Sequence, residues 1–170
     1  MKNLIVTADI HGSYSSWLTM KNLLKPTDGL AVAGDLFDTK YGNYTNIDFQ
    51  PGSIKNELTS FKHHFYYVYG NCDTPSFFPG VDTKMEFTVF NKKILLYHGH
   101  RPHHCSEDID IVIQGHTHIF SLKKKNGQIF MNPGSITQPR NGRYTYGLID
   151  NTSANLIELK TGKKLITIKF

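Results

Sequence analysis

Histidine, aspartate and asparagine recur in this chain directly after runs of apolar residues, and these are side chains that bind divalent metal ions. The clearest case is the segment 110–120, DIVIQGHTHIF, in which an apolar run ends in glycine and two histidines follow one residue apart. A buried strand has no need of imidazoles at its end. Imidazole, carboxylate and amide donors without thiolate disfavour structural zinc and calcium, and allow manganese, iron, nickel, cobalt or catalytic zinc. The segment therefore raises the hypothesis of a metal site.

Five predicted strands carry a metal-binding side chain at or just past their apolar end. In chain order these side chains are Asp9 and His11, Asp35, Asn71, His98, and His116 and His118. In open α/β sheets ligands bind outside the carboxyl ends of the strands, so we expect the donors to converge on one rim if the strands share a sheet. A lone Asp-x-His is more often a turn than a metal site, and it is the joint occurrence that carries the prediction.

The number of donors points to more than one metal ion. A single catalytic transition metal usually takes three or four protein groups and leaves a position open. Seven donors are too many for that arrangement and suit two metals that share a bridging carboxylate. Such a pair of ions polarises a phosphoryl group and holds the attacking and leaving oxygens in line. The sequence therefore predicts a site for two ions, suited to phosphoryl chemistry.

The elements that must position these residues alternate between strand and helix in the first half of the chain. Strands are predicted over 3–8, 29–33 and 64–69, and helices over 13–25 and 53–62. From there on the pattern predicts short strands over 84–90, 92–97, 110–114, 120–125, 128–131, 143–150, 154–159 and 164–170. Asn126-Gly127 is a strong hairpin signal between two of these strands. The order predicts α/β character, with two sheets packed together and helices outside.

Length and composition favour one domain with a sizeable core. The chain has 170 residues, 39% of them hydrophobic, so we expect a single domain over 1–170. The two cysteines cannot form a disulfide framework, and no apolar run approaches the roughly 18 residues of a membrane-spanning helix. We therefore expect a cytoplasmic protein with no membrane partner.

The net charge of +5 comes largely from lysines in the segments 123–125 and 160–169. Neither segment interleaves its lysines with aromatic residues as a stacking surface for nucleic acid does. We interpret these lysines as solvated hairpin tips that aid solubility. A weak attraction for anionic substrates is the alternative.

Taken together, the motifs resemble the calcineurin-like metallophosphoesterase superfamily, and in particular its small bacterial and archaeal YfcE-type phosphodiesterases. The motifs are Asp9-Ile-His11, Gly34-Asp35, Gly70-Asn71-Cys72-Asp73, His98-Gly-His100, Gly115-His116-Thr-His118, Asn132-Pro-Gly-Ser135 and Pro139-Arg140. The resemblance covers nearly the whole chain. It implies a four-layer αββα sandwich of two mixed β-sheets flanked by helices, with a dimetal site on the sheet edges.

The resemblance also implies a role for each donor. The first ion would be held by Asp9, His11, Asp35 and His118, and the second by Asp35 as the bridge together with Asn71, His98 and His116. Manganese is the first choice of metal, and nickel, iron, cobalt and zinc are alternatives. The substrate would be a small phosphodiester, attacked in line by a hydroxide between the ions, with Asp35 and Asn71 contributing to catalysis.

Cys72 departs from the superfamily's commoner pattern, in which a histidine follows the asparagine. That histidine is a candidate proton donor or phosphate clamp, so the cysteine leaves the general acid unassigned. His100, two residues past a predicted ligand, is the best substitute donor, with a plain loop histidine as the alternative interpretation. We expect Cys72 to be an inert small residue, with a redox or metal role as the alternative.

Four further residues have a functional and a structural interpretation. Asp38 and Asp73 are either acceptors for the imidazoles of ligands or ordinary loop carboxylates. Ser135 and Arg140 are candidates for contact with a substrate phosphate, although a surface role is favoured for the arginine.

Two other functions are compatible with the same motifs. The fold with partly degraded ligands resembles the phosphoesterase-like subunit of the retromer coat, a protein-binding scaffold. All seven ligand positions are filled here by competent residue types, which argues against that role. A small nuclease is the second alternative, but such enzymes generally carry extra domains to hold the strand, so nucleic acid is not the expected partner. Assembly into a homo-oligomer is left open.

Overall fold

The strands and helices follow one another in the order that the sequence predicts. The computed structural model describes residues 1–170. Its elements are β1 (Leu4–Thr7), α1 (Tyr14–Leu23), β2 (Gly29–Ala33), α2 (Pro51–Thr59), β3 (Phe65–Val68), β4 (Lys84–Val89), β5 (Lys92–Tyr97), β6 (Ile111–Ile113), β7 (Ser121–Lys125), β8 (Gln128–Asn132), β9 (Thr145–Ile149), β10 (Ser153–Glu158) and β11 (Lys164–Lys169). Every predicted element is present, and most ends lie within one or two residues of the prediction.

The strands form two mixed sheets. One has six strands in the order β11-β10-β9-β1-β2-β3, and the other has five in the order β4-β5-β6-β8-β7. The neighbours β1, β2 and β3 run parallel, as do β5, β6 and β8, whereas the remaining neighbours are antiparallel. The lysine-rich strands β7 and β11 each lie at an edge of their sheet.

A large apolar core fills the space between the two sheets. In β1, Leu4 and Val6 face this core, while Ile5 faces the opposite side, because successive side chains of a strand point to opposite faces. Ile94 and Ile111 of the five-stranded sheet meet Leu4 and Val6 in the same core. Both faces of β1 are buried, which accounts for its unbroken apolar sequence.

The outer faces of the two sheets are covered in different ways. Trp17 of α1 and Ile54 of α2 are fully buried on the outer face of the six-stranded sheet. On the five-stranded sheet, Leu95 and Val112 pack with Ile109 from the irregular segment between β5 and β6. The predicted fold of two mixed sheets with outer helices is confirmed, with both helices on one side. Neither helix has the length and apolar character needed to cross a lipid bilayer.

The predicted hairpin turn is present between β7 and β8. Asn126 and Gly127 have φ angles of 50° and 82°. Two consecutive left-handed residues are what a type I′ turn requires, and asparagine and glycine adopt that conformation most easily.

The five strands that carry the metal-binding residues do not share a sheet. β1, β2 and β3 belong to the six-stranded sheet, whereas β5 and β6 belong to the five-stranded sheet. The condition under which convergence on one rim was expected, a single shared sheet, is therefore not met. The donors converge nevertheless, because the parallel strands of both sheets end at the same side of the molecule. The ring Nδ1 of His98, just after β5, lies 2.8 Å from the carbonyl oxygen of Ala33 at the end of β2.

Candidate metal centre

The chain turns sharply where the motifs follow the strands. Six motif residues other than glycine have left-handed backbone conformations, with φ between 49° and 68°: Asp9, His11, Asp35, Asp38, His116 and His118. This conformation costs of order 1–3 kcal/mol for an ordinary residue and persists only where the surrounding structure holds it. Such strain clusters at functional sites, and every one of these residues except Asp38 is a predicted ligand.

Asp9, His11 and His118 form a first cluster of donors. Asp9 Oδ1 lies 4.0 Å from Nε2 of His11 and 3.5 Å from Nε2 of His118. The two Nε2 atoms are 3.2 Å apart. Asp9 is fully buried and His118 is nearly so. Two imidazole nitrogens and a carboxylate oxygen therefore face a common point, as the ligands of one ion do.

Asp9 also belongs to a second cluster, with Asp35 and His98. Nε2 of His98 lies 3.1 Å from Asp35 Oδ2, 4.0 Å from Asp9 Oδ1 and 3.1 Å from Asn71 Oδ1. In this geometry Asp9 is the carboxylate common to both clusters, whereas the resemblance implies Asp35 as the bridge. Which carboxylate would bridge two ions stays a prediction.

Hydrogen bonds at Nδ1 hold three of the histidine rings in place. Nδ1 of His11 lies 3.0 Å from Asp38 Oδ2, Nδ1 of His98 lies 2.8 Å from the carbonyl oxygen of Ala33, and Nδ1 of His118 lies 2.8 Å from that of Gln138. With an acceptor at Nδ1, that nitrogen carries the proton and the lone pair of Nε2 is available to an ion. The two carbonyl partners could not be predicted from the sequence, because every residue type has a backbone carbonyl group.

Asp73 and Asp38 have the same two interpretations from the sequence, but their contacts in the structure differ. Asp73 accepts hydrogen bonds from the backbone N–H groups of Gly70, Phe37 and Asp38 at 2.9, 2.9 and 3.2 Å. It ties the loop after β3 to the loop after β2 and contacts no ligand ring. Asp38 is the carboxylate that touches a histidine of the cluster, His11.

Ser135 lies behind the site and is fully buried. Its hydroxyl donates to the carbonyl oxygen of Asp9 at 2.8 Å and accepts from the backbone N–H groups of Thr137 and Gln138 at 3.1 and 2.9 Å. The residue predicted to touch substrate thus fixes the backbone of Asp9 and the carbonyl group that holds His118.

The remaining candidates lie around the second cluster and at the rim. The ring centroid of His116 is 5.1 Å from that of His98, and the ring of His100 is 5.4 Å from His98 and 6.3 Å from His116. Nδ1 of His100 is buried without a hydrogen-bond partner. Arg140 is exposed, and its backbone N–H donates to the carbonyl oxygen of His118 at 3.0 Å.

Burial and close contact shift the protonation of the buried groups in opposite directions. Burial raises the pKa of Asp9 to about 7, although His98 opposes the shift. Burial would also raise the pKa of Asp35, but the hydrogen bond and charge of His98 lower it to about 2. Burial would lower the pKa values of His98 and His11, and their contacts with Asp35 and Asp38 raise them instead. A divalent cation bound here would stabilise the charged forms of the Asp9 and Asp35 carboxylates. It would thereby offset the cost of burying these two acids.

The thiol of Cys72 lies beside the same donors. Cys72, His11 and Asp38 could themselves hold an ion. Burial and the nearby Asp35 carboxylate raise the pKa of the thiol, so it is neutral near pH 7. Its backbone N–H donates to Asp35 Oδ1 at 2.8 Å, and the Asn71 side chain donates to its sulfur at 3.1 Å.

Glycines beside the donors allow the strands to approach closely. A Cβ added at Gly70 would lie 2.0 Å from Asp35 Oδ1, and one at Gly34 would lie 2.5 Å from Nδ1 of His98. Neither position has room for a side chain while the carboxylate and the imidazole keep their places.

Comparison with known proteins assigns the fold and the motifs to one family. The calcineurin-like phosphoesterase superfamily domain matches residues 1–154. Phosphodiesterase YfcE of Escherichia coli is 27% identical over 172 aligned residues, which cover 94% of this chain and 93% of that protein. A probable metallophosphoesterase of Mycoplasma genitalium is 30% identical over 148 residues, covering 83% of this chain and 81% of its own.

Solved structures show the same fold over nearly the full length. The structure of Escherichia coli YfcE aligns with a TM-score of 0.77 at 23% identity and covers 98% of both chains. A Vps29 variant from Entamoeba histolytica aligns with a TM-score of 0.70 at 23% identity and covers 99% of both chains. At these identities the structural likeness establishes the fold alone.

Replacing Gly70 by alanine should displace the Asp35 carboxylate and weaken metal binding. The added Cβ would lie 2.0 Å from Asp35 Oδ1 and 2.4 Å from Asp35 N, so the loop or the carboxylate must move. We expect Gly70→Ala to retain fewer divalent ions per chain than the wild type after equilibration with manganese and dialysis, as measured by elemental analysis.

Gly52→Ala is the matched control for that variant. Gly52 lies in α2 with open space around it, so alanine should leave the metal content unchanged and stabilise the fold by about 0.5–1 kcal/mol. Circular dichroism verifies that both variants are folded. A folded Gly70→Ala protein with the wild-type metal content would show that the Asp35 carboxylate does not contribute to metal binding.

Proposed function

Because the chain belongs to the calcineurin-like phosphoesterase superfamily, we propose that it is a phosphodiesterase that uses two divalent metal ions to hydrolyse small phosphodiesters. Membership makes it a metal-dependent phosphoric ester hydrolase, and the number of ions and the diester substrate are the proposed part. The observation that carries the proposal is the convergence of Asp9, His11, His118, Asp35 and His98 in two adjoining clusters. The donors come from both sheets, so we propose that residues 1–170 act as one domain.

The donor set fits transition metals of borderline softness. It offers imidazole nitrogens, carboxylate oxygens and the Asn71 amide, and the only thiol nearby, that of Cys72, is neutral. Manganese is the first choice among the metals that such ligands suit, with nickel, iron, cobalt and zinc as alternatives. Two bound ions would lower the pKa of water for attack on phosphorus and neutralise the charge that develops on the phosphoryl oxygens.

The chain's own residues supply position and proton transfer. Hydrolysis joins the water oxygen to phosphorus, breaks the bond to the leaving oxygen and delivers a proton to the alcohol that departs. His100 is the candidate donor of that proton, since its ring lies close to those of His98 and His116. Burial and the charge of His98 lower its pKa, so most of its rings lack the second proton at neutral pH and few can donate one. The site therefore favours esters whose leaving group needs little protonation.

Cys72 supports the same preference. Its neutral thiol supplies neither the positive charge nor the proton that a histidine would offer at that position. A monoester carries close to two negative charges near pH 7, whereas a diester carries one. A diester with a good leaving group is therefore the better match.

A protein-binding scaffold is the alternative function, supported by the likeness to Vps29. The discriminating feature is the ligand set. All seven predicted positions hold competent residues, and the clusters around Asp9 bring five of them within reach of one another. The intact set favours catalysis.

Chelation should abolish turnover of bis(p-nitrophenyl) phosphate, because in the proposed mechanism the ions both make the attacking hydroxide available and neutralise the charge on the phosphoryl oxygens. Nitrophenolate release is measured on protein stripped with a chelator, before and after addition of manganese, nickel, iron, cobalt or zinc in turn. We expect no turnover without metal and the largest recovery with manganese. Full turnover by protein that elemental analysis finds free of metal would refute the proposal.

Replacing each buried aspartate by asparagine should identify the carboxylate that serves both ions. The family pattern implies Asp35, so we expect Asp35→Asn to lose ions at both sites and at least about 100-fold in rate, while His98→Ala empties mainly one site. Metal content per chain and turnover are measured on each variant. Two retained ions with a near-normal rate in Asp35→Asn, together with loss of both ions in Asp9→Asn, would assign the bridge to Asp9.

Substitution of Cys72 should change substrate preference more than metal content. Cys72→Ser should cost little on activated diesters. Cys72→His should raise monoester turnover relative to diester turnover if the ring fits, since proton donation is typically worth ~10²–10⁴ in rate. Kinetics on p-nitrophenyl phosphate and bis(p-nitrophenyl) phosphate measure the ratio. A collapse of diester turnover in Cys72→Ser, with both metals retained, would mean that the thiol takes part in the chemistry.

A further inference from the structure

A pocket lies beside the metal centre and shares the imidazole of His11 with it. The pocket has a volume of about 220 Å³. The side chains that bear on its selectivity are Asp38, Tyr41, Asn43, Asn46, Asp48 and Gln138, and we call this space the side pocket. Gln138 also connects it to the centre, because its carbonyl oxygen holds Nδ1 of His118.

The loop that forms the side pocket is fixed to the chain around His11. The ring of Phe49 packs so closely against Gly12 and Gly42 that a Cβ at either glycine would lie 2.4 or 1.9 Å from it. Backbone hydrogen bonds join Gln50 N–H to the carbonyl oxygen of Gly12 at 2.8 Å and Tyr14 N–H to that of Asp48 at 2.9 Å. The walls are therefore held in place by packing and by hydrogen bonds.

The charge of the side pocket is negative. Asp38 and Asp48 line it, and the nearest lysine is Lys40, which lies over the ring of Tyr41 at the mouth and does not line the pocket. Burial would raise the pKa of Asp48, but hydrogen bonds from Ser13 and Ser15 lower it, so the carboxylate is ionised at neutral pH. Asp38 Oδ2 contacts His11, while its Oδ1 is buried without a hydrogen-bond partner. A ligand arm with a further phosphate or carboxylate would meet repulsion here.

An aromatic ring at the mouth of the side pocket is contacted by the chain's own Lys40, whose ammonium a ligand cation would have to replace. Tyr41 is 65% exposed, and Nζ of Lys40 lies 4.8 Å from the centroid of its ring. Ammonium groups are attracted to the face of an aromatic ring at this distance. A ring next to two carboxylates is the combination that recognises quaternary and primary ammonium groups.

On the basis of the proposed phosphodiesterase activity, we infer that the side pocket binds one arm of the diester and selects an arm that carries a positive charge, as an amino alcohol or its quaternary ammonium form does. The phosphoryl group would then lie at the metal centre on the other side of the His11 imidazole. The two carboxylates and the Tyr41 ring would surround the cation. The uncharged amides of Asn43 and Asn46 leave room for the methylene groups of the arm.

The test compares two substrates that differ in one atom. p-Nitrophenyl phosphorylcholine has a quaternary nitrogen where p-nitrophenyl 3,3-dimethylbutyl phosphate has a carbon, and both release nitrophenolate. We expect the metal-loaded protein to prefer the choline ester by about tenfold in kcat/KM at low ionic strength, and the preference to fall as salt is added. Equal kcat/KM values, or a preference for the uncharged ester, would overturn the inference.

Lysine substitutions inside and outside the side pocket test whether the preference for the choline ester arises there. Asn46→Lys should bring the ratio of the two kcat/KM values to about one or below, because it places a cation where the ammonium would sit. Asn56→Lys, on the exposed side of α2, adds the same charge elsewhere and should leave the ratio unchanged. Tyr41→Ala should lower the ratio without altering the charge. Partial unfolding of a variant lowers the apparent rates on both substrates by the same factor, so it leaves the ratio of the two kcat/KM values unchanged.

The possible results separate this inference from the proposed function. Turnover of bis(p-nitrophenyl) phosphate with no preference for the choline ester would overturn the inference and leave the phosphodiesterase standing. No turnover of any diester by metal-loaded protein would overturn both. A tenfold preference that survives both Asn46→Lys and Tyr41→Ala would place the cation outside the side pocket and overturn the inference.

Discussion

The packing of the two sheets against each other sets the position of every candidate metal-binding residue. The carboxyl ends of the parallel strands from both sheets lie at one edge of the molecule, and small residues there let the backbones approach. A Cβ at Gly115, after β6, would lie 2.6 Å from the Cβ of Ala8, after β1. His98 crosses the same boundary to reach the carbonyl oxygen of Ala33. If the sheets moved apart by the width of one methyl group, His118 and His98 of the five-stranded sheet would be drawn away from the aspartates of the six-stranded sheet, and each cluster would lose a donor.

The sequence predicts this site well where the information is local. A run of apolar residues followed by a metal-binding type of side chain is a local pattern, and it predicts the strands and seven candidate donors, five of which lie in the two clusters that share Asp9. Sheet membership is not local. β6 pairs with β8 instead of β7, and β1 pairs with both β2 and β9. These pairings join segments far apart in the chain, so the sequence could not place the donors on two sheets.

The same limit applies to individual side chains. Asp38 and Asp73 are both loop carboxylates next to motif residues, and only their tertiary contacts distinguish the one that orients His11 from the one that binds backbone N–H groups. Ser135 belongs to a recognisable motif, but its burial behind Asp9 reverses the role expected for an exposed hydroxyl. The left-handed backbone at Asp9 and His118 is not predictable from residue type alone, because aspartate and histidine adopt it more often than most residues but still in a minority of cases.

The lysines that give the chain its positive charge lie on open sheet edges. β7 ends in Lys123, Lys124 and Lys125, and β11 begins and ends in lysine, and all of these side chains are exposed. An edge strand presents unpaired backbone groups onto which a strand of another molecule can add, and such addition starts aggregation. A second copy that approached either strand edge to edge would bring a row of like charges against this one. The lysines that first suggest affinity for anions thus disfavour pairing between the edge strands of two copies of the protein.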